Sequence, residues 1–178
     1  MPIARRTLIA TLALLPAPIA PALAASDLEE QAADALARLY RNVPRAKELG
    51  DRATAILVFP QIVKGGLLVG GLTGNGVLTR KGRPPEHYNI TAMSYGLQAG
   101  AQVYSYALFF MNEAALESLR STQGLSVGVG PSVVVIDQGF AESMTSTTVT
   151  QDVYAIPFGQ QGLMAGAGLE GAKITRTD

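Results

Sequence analysis

Between Phe59 and Leu78 the chain reads FPQIVKGGLLVGGLTGNGVL, an apolar run broken by Gly65, Gly66, Gly70, Gly71, Gly74 and Gly76. A helix suits this stretch poorly, because each interior glycine costs about 1 kcal/mol relative to alanine. Strands that bend, or that pack backbone against backbone, suit it better. Asn75-Gly76 reads as a tight hairpin turn, since both residues tolerate positive φ. The run lacks both the GK[ST] ending of a phosphate-binding P-loop and a G-x-G-x-x-G entry into a helix. Its glycines therefore point to backbone geometry rather than to nucleotide binding.

All 19 glycines lie between Gly50 and Gly171, which divides the chain into a helical first part and a strand-rich remainder. Over residues 27–42 and just beyond, Leu28, Ala32, Ala35, Leu36, Leu39 and Val43 recur at three- and four-residue steps and define one apolar helical face. Ser26 or Asp27 is placed to cap this helix, and Glu29 and Glu30 complement its dipole. Pro44 interrupts it and starts a short second helix over 45–52, which Gly50 or Asp51 helps to end. Residues 55–59 predict a buried strand closed by Pro60, residues 80–85 a basic loop, and residues 87–94 another strand.

Alternation is legible from Gly96 to residue 109. Leu97, Ala99, Ala101, Val103, Ser105 and Ala107 are small and mostly apolar, so they are expected to face a tightly packed core. Gly96, Gln98, Gly100, Gln102, Tyr104 and Tyr106 face the other way. The polar stripe of Gln98, Gln102, Tyr104 and Tyr106 reads either as a solvated sheet face or as the lining of a groove. Asn112 is an N-cap for a helix over 113–121 that buries Ala115, Leu116 and Leu119 and ends at Gly124. Further strands are expected over 125–129, 132–136, 145–154, 163–169 and 172–175. The fold class is α+β, dominated by β: a curved antiparallel sheet or partial barrel with an N-terminal amphipathic helix and one or two short helices.

With 178 residues, 48% of them hydrophobic and 16% charged, the chain can bury the core of one domain. The absence of cysteine excludes disulfides, thiolate metal sites, a cysteine nucleophile and the lipidated cysteine of a lipoprotein. Residues 1–24 read as an export signal, with Arg5 and Arg6 before an apolar run over 7–15 and Ala22-Leu23-Ala24 as the cleavage site. A membrane anchor fits less well, because the run is short and Pro16, Pro18 and Pro21 follow it. Arg5-Arg6-Thr7-Leu8-Ile9 resembles a twin-arginine signal, with Ala4 and Leu8 standing off the pattern. The mature domain then spans 25–178 and is periplasmic or secreted. Losing Arg5 and Arg6 takes two of the 14 cations and none of the 14 acids, so the mature chain is slightly acidic and not built for nucleic acid.

Catalytic chemistry finds little support. His87 is the one histidine; beside Glu86 and after two prolines it reads as an exposed loop residue rather than a base, and a histidine zinc site needs more. Asp137, Glu142, Asp152 and Glu170 are scattered among turns without paired spacing. No catalytic residue, metal or cofactor is expected. Arg38, Arg41, Arg45 and Lys47 instead cluster at the end of the amphipathic helix, and Lys64, Arg80, Lys81 and Arg83 lie in or near the glycine stretch. Cations beside an apolar face can hold anionic headgroups, each contributing on the order of 1 kcal/mol. The competing reading packs the alanine-rich face, which has no Trp or Phe to anchor in lipid, on the sheet.

The glycine stretch, followed by Gly96-Leu97-Gln98-Ala99-Gly100-Ala101-Gln102 and by Gly162-Leu163-Met164-Ala165-Gly166-Ala167-Gly168-Leu169-Glu170-Gly171, resembles the SYLF domain family in order and approximate spacing over roughly residue 27 to the C-terminus. That resemblance implies a lipid-binding module in which the N-terminal helix and basic residues meet phosphoinositides and other acidic lipids. Eukaryotic members also bind actin, a role not expected of an exported bacterial-type chain. Many bacterial members are lipoproteins, from which this cysteine-free chain departs. Leu169-Glu170-Gly171 matches the end of the family's C-terminal motif, and the role expected of Glu170 is still structural, its carboxylate accepting hydrogen bonds at a glycine turn. The expected partner is an anionic phospholipid surface, reached by Arg38, Arg41, Arg45 and Lys47 and by Lys64, Arg80, Lys81 and Arg83. The alternatives are an envelope module that docks on a protein partner and, further off, an enzyme with an unrecognised site.

Overall fold

The computed structural model describes residues 20–126, 132–136, 150–162 and 171–177. In chain order these form α1 (Ala20–Asn42), α2 (Pro44–Arg52), β1 (Ala55–Thr79), β2 (Glu86–Phe110), α3 (Glu113–Arg120), β3 (Leu125–Ser126), β4 (Val133–Val135), β5 (Val153–Gly162) and β6 (Lys173–Arg176). The α+β, β-dominated, curved-sheet expectation is correct.

The glycine stretch holds no hairpin turn. Residues 55–79 are one strand, and Asn75 and Gly76 pair with Asn89 and Tyr88 inside the β1–β2 ladder. The chain reverses instead at the 80–85 loop, where Gly82 takes a φ of 72°. What the glycines supply is self-contact. A Cβ on Gly74 would lie 2.7 Å from the Gln61 carbonyl oxygen, and one on Gly76 would lie 2.5 Å from the Phe59 ring and 2.8 Å from the Val58 carbonyl oxygen. A Cβ on Gly66 would overlap the backbone of Gly70. The hairpin is therefore folded sharply near 66–70, and its two halves cross face to face.

Each half carries its own strands along the edge of β2 opposite β1. β6 pairs with residues 88–91 and in turn carries β3, while β5 pairs with residues 102–110 and carries β4. The β4–β5 pair is parallel, the one departure from the antiparallel expectation among the described ladders. Between the two halves lies a core of Leu57, Phe59, Ile62, Leu72, Leu78, Tyr88, Ile90, Tyr104, Tyr106, Leu108, Phe110, Val153 and Ile174, closed by Ala115, Leu116 and Leu119 of α3. Asn112 caps α3 as expected, its side-chain oxygen accepting from the Ala115 N–H at 2.9 Å.

A second core lies on the outer face, where Ala32, Ala35, Leu39 and Val43 of α1 and Ala46 and Leu49 of α2 cover Val58, Val77, Ala107, Phe109 and Ile156. Three expectations change here. The helix begins by Ala20, so Ser26 and Asp27 lie inside it rather than at its cap. Gly50 does not end α2, which runs to Arg52; a Cβ at Gly50 would strike the Tyr40 hydroxyl, so this glycine lets α2 close on α1. In β2 the facing is reversed: Gln102, Tyr104 and Tyr106 are buried, whereas Ala101 is exposed. Tyrosine rings carry more apolar area than alanine methyls and take the interior; Ser105 and Ala107 are buried too, because α1 covers part of the other face. The strand expected over 163–169, Glu170, Asp137 and Glu142 lie outside the described residues.

Gly76→Ala is expected to lower stability by about 1–3 kcal/mol through overpacking against Phe59. Gly82→Ala, in open space but at positive φ, should cost about 1 kcal/mol. Urea unfolding of both variants measures the difference.

Candidate functional site

The expected cations are not gathered into one site. Arg38 and Arg41 are exposed on successive turns of α1 and make no ion pair among the described residues. Arg45 and Lys47 of α2 are already engaged, with Glu48 at 2.7 Å and Asp51 at 2.7 Å. Arg80 pairs with Glu113 at the start of α3. Lys81 and Arg83 are exposed in the 80–85 loop, again without an ion pair among the described residues. The Thr79 hydroxyl donates to the Ile56 carbonyl, and Ile56 lies against Gly50. The loop therefore leaves the sheet at the end where α2 sits. Lys64 stands apart: it pairs in register with Gln102 and so shares the inner face of β1 with Ile62, away from α1.

Backbone irregularities converge beside Arg38. The register of β1 against β2 slips between Phe59 and Ile62, that of β2 against β5 slips between Val103 and Ser105, and Gly159 takes a φ of 64°. Ser105 donates to the Pro60 carbonyl at 2.7 Å and ties the two bulges together. Bulges re-aim side chains, and here they open a cleft of about 390 Å³ between α1 and the sheet, lined by Gln31, Asp34, Arg38, Gln61, Tyr104 and Gln161 among others. Tyr104 lines this cleft, while the buried Gln102 Oε1 and Tyr104 hydroxyl have no hydrogen-bond partner among the described residues. Burial pushes the Tyr104 phenol up from its ordinary value.

His87 is not a loop residue. It lies in β2 with Nε2 3.4 Å from a carboxylate oxygen of Glu29, joining α1 to the sheet. Its neighbour Glu86 is the centre of the densest charge cluster: it accepts from the Tyr88 hydroxyl at 3.0 Å and from Arg120 Nε at 3.1 Å, and Arg176 stands 3.3 Å away. Burial pushes the Glu86 carboxyl up, but the Arg120 and Tyr88 hydrogen bonds and the charges of Arg120 and Arg176 outweigh it and hold the group below its ordinary value. The cluster ties α3 and β6 to β2, a fastening that the sequence did not reveal because its members are 34 and 90 positions from Glu86. Asp152 is another tie: bonds from Asn112 and Ser132 hold its carboxyl below its ordinary value and join the start of α3 to β4 and β5. Among the described residues no group of three His, Cys, Asp or Glu side chains could hold a metal ion.

The site thus consists of a bent sheet, an amphipathic helix packed on it, and at the rim exposed cations that make no ion pair among the described residues. Residues 91–178, from within β2 onward, match the Ysc84 family, described as Las17-binding protein actin regulator. This part of the chain belongs to that family, the SYLF family of the glycine-motif resemblance. No curated protein matches the chain.

Glu86→Gln is expected to lower stability at pH 7 by about 1–3 kcal/mol, since Arg120 and Arg176 lose their anion. Because the folded carboxyl titrates below its ordinary value near 4.3, its contribution is fully present above that pH and fades as pH falls through the folded value. Urea unfolding at pH 7 and pH 3 should show the gap between wild type and variant closing in acid.

Proposed function

We propose that the chain is a non-catalytic module that binds anionic phospholipid surfaces. The observation that carries this reading is the set of exposed cations without ion pairs among the described residues: Arg38 and Arg41 on α1, Lys81 and Arg83 on the hairpin loop. Such charges are free to meet headgroup phosphates without first breaking an intramolecular pair. The family match supports a binding role in general. The apolar stripe of α1 is already buried on the sheet, so in this conformation α1 offers its charges and not its apolar face. Arg45, Lys47 and Arg80, held by acidic neighbours, contribute less, and Lys64 on the inner face is a secondary contact.

The module works at the outer side of a bacterial-type inner membrane, after export and removal of residues 1–24. Cleavage there would leave α1 from Ala25 onward with its buried positions Ala32, Ala35 and Leu39. The actin role belongs to the family description and is not part of this proposal. Docking on an envelope protein is the rival reading.

Co-sedimentation of residues 25–178 with vesicles of graded anionic content, at two salt concentrations, tests the proposal. Binding should rise with anionic lipid and fall with salt. Replacing Arg38 and Arg41 by alanine should weaken it about 30-fold, at about 1 kcal/mol per charge; replacing Arg45 and Lys47 should do less. Binding indifferent to lipid charge would favour the protein-partner reading.

A further inference from the structure

Among the described residues the exposed large apolar side chains are Val135 of β4, at 41%, and three on the β1–β2 hairpin. Met93 is 69% exposed, Val69 51% and Val63 46%. All three belong to the sharply folded middle of the β1–β2 hairpin, and the register fixes how they are arranged. Met93 pairs with Gly71, so it shares a face with Val69, two residues along the same strand. Val77, farther along that face, is buried beneath α1, whereas Leu72 and Leu78 on the opposite face enter the inner core. Val63 pairs with Val103, while its neighbour Ile62 is in the inner core, so Val63 is on the outer face as well. The three side chains thus stand on the outer face of the fold, Val63 at the edge of α1, where it lines a cleft with Leu28 and Gln31, and Val69 and Met93 farther along the bend. The inner side is closed by the approach of Gly66 to Gly70.

The charge pattern says what this surface suits. From Arg52 to Pro85 the sequence holds no Asp or Glu, but it does hold Arg52, Lys64, Arg80, Lys81 and Arg83; from His87 to Asn112 it holds no Asp, Glu, Lys or Arg at all. An anionic interface would meet no carboxylate on this hairpin other than Glu86, which Arg120 and Arg176 already neutralise. Exposed apolar side chains on an acid-free, weakly cationic element are the composition that enters the headgroup–acyl boundary. The backbone limits the depth. Among the described residues, β1 has one paired edge and residues 92–101 of β2 pair with β1 alone. Unpaired backbone groups cannot enter hydrocarbon, so side chains are immersed while the strands stay in the interface.

We propose that the bend of the β1–β2 hairpin, through Val63, Val69 and Met93, is the element that inserts into an anionic bilayer interface. This rests on the lipid-binding reading above and assigns it an apolar contact that α1, packed on the sheet, does not supply.

Because the chain has no cysteine, Met93→Cys gives a single attachment point for an environment-sensitive fluorophore, and Glu117→Cys on the exposed side of α3 gives a control. Both proteins, spanning 25–178, are mixed with vesicles of phosphatidylglycerol and phosphatidylcholine. The expected result is a blue shift at position 93, quenched by acyl-chain quenchers, and no shift at position 117. Val69→Asp with Met93→Asp, both at exposed sites, should weaken sedimentation about tenfold or more with unfolding unchanged. Sedimentation with the fluorophore at 93 remaining in water would overturn the insertion and leave the lipid reading standing. Absence of sedimentation at every composition would overturn both. A blue shift that grows with protein concentration and needs no vesicles would assign the patch to a second copy and overturn the insertion.

Discussion

The contact on which this structure depends is that of β1 with itself. Where Gly74 and Gly76 pass over Val58, Phe59 and Gln61, no Cβ can be accommodated without displacing a backbone carbonyl or an aromatic ring. That closeness converts one long hairpin into two crossed layers. Each layer recruits its own strands along the far edge of β2, and the space between them holds the ring cluster of Phe59, Tyr88, Tyr104, Tyr106 and Phe110. The bulges at Pro60-Gln61 and between Val103 and Ser105 belong to the same geometry, because a sharply curved ladder cannot keep one register throughout. The cleft beside Arg38 is a by-product of that curvature, opened where the bulges lift the sheet away from α1.

Curvature also decides what the helices do. A sheet folded over its own core still has an outer face with Val58, Val77, Ala107 and Phe109 to cover, and α1 with α2 covers it. The alanine-rich stripe of α1 is suited to that cover. Small side chains bring the helix close to the sheet, and the lack of large anchors that counts against lipid insertion counts in favour of packing. The cations of α1 are then left exposed, Arg41 on the helix surface and Arg38 at the margin of the cleft. Those of α2 are held instead by acidic neighbours one turn away, and such exposed pairs hold little energy, so they remain available at modest cost.

Much of this was legible in the sequence, and the failures have a common origin. Periodicity of 3.6 placed α1 and its buried face, Asn112 and Pro44 marked helix starts, and the spread of glycines marked the β-rich part. Local rules failed where distant contacts decided. Asn75-Gly76 has the chemistry of a turn, yet its glycine is required because residues 58–59 lie against it, a contact between positions far apart in the strand. Alternation in β2 holds, but with its sides exchanged, because the size of Tyr104 and Tyr106 outweighs the polarity of their hydroxyls once a second layer closes over them. His87 looked exposed because nothing in its neighbourhood names Glu29, and the Glu86 cluster joins three elements that sequence separation hides.

Two surface features, cations without an ion pair among the described residues and an exposed apolar bend, are physically complementary. On the lipid-binding proposal, long-range attraction from Arg38, Arg41, Lys81 and Arg83 would gather the chain to an anionic surface, but exposed charge pairs are screened within about 10 Å at ordinary salt. Apolar insertion has no such dependence and acts only after contact, so it sets residence rather than approach. A scaffold that performs both must hold its apolar side chains rigidly in water without letting them collapse inward. The folded hairpin does this through its own backbone: Gly66 against Gly70 closes the concave side, leaving Val63, Val69 and Met93 no interior to retreat into. The same glycines that compress the core thus keep the bend turned outward.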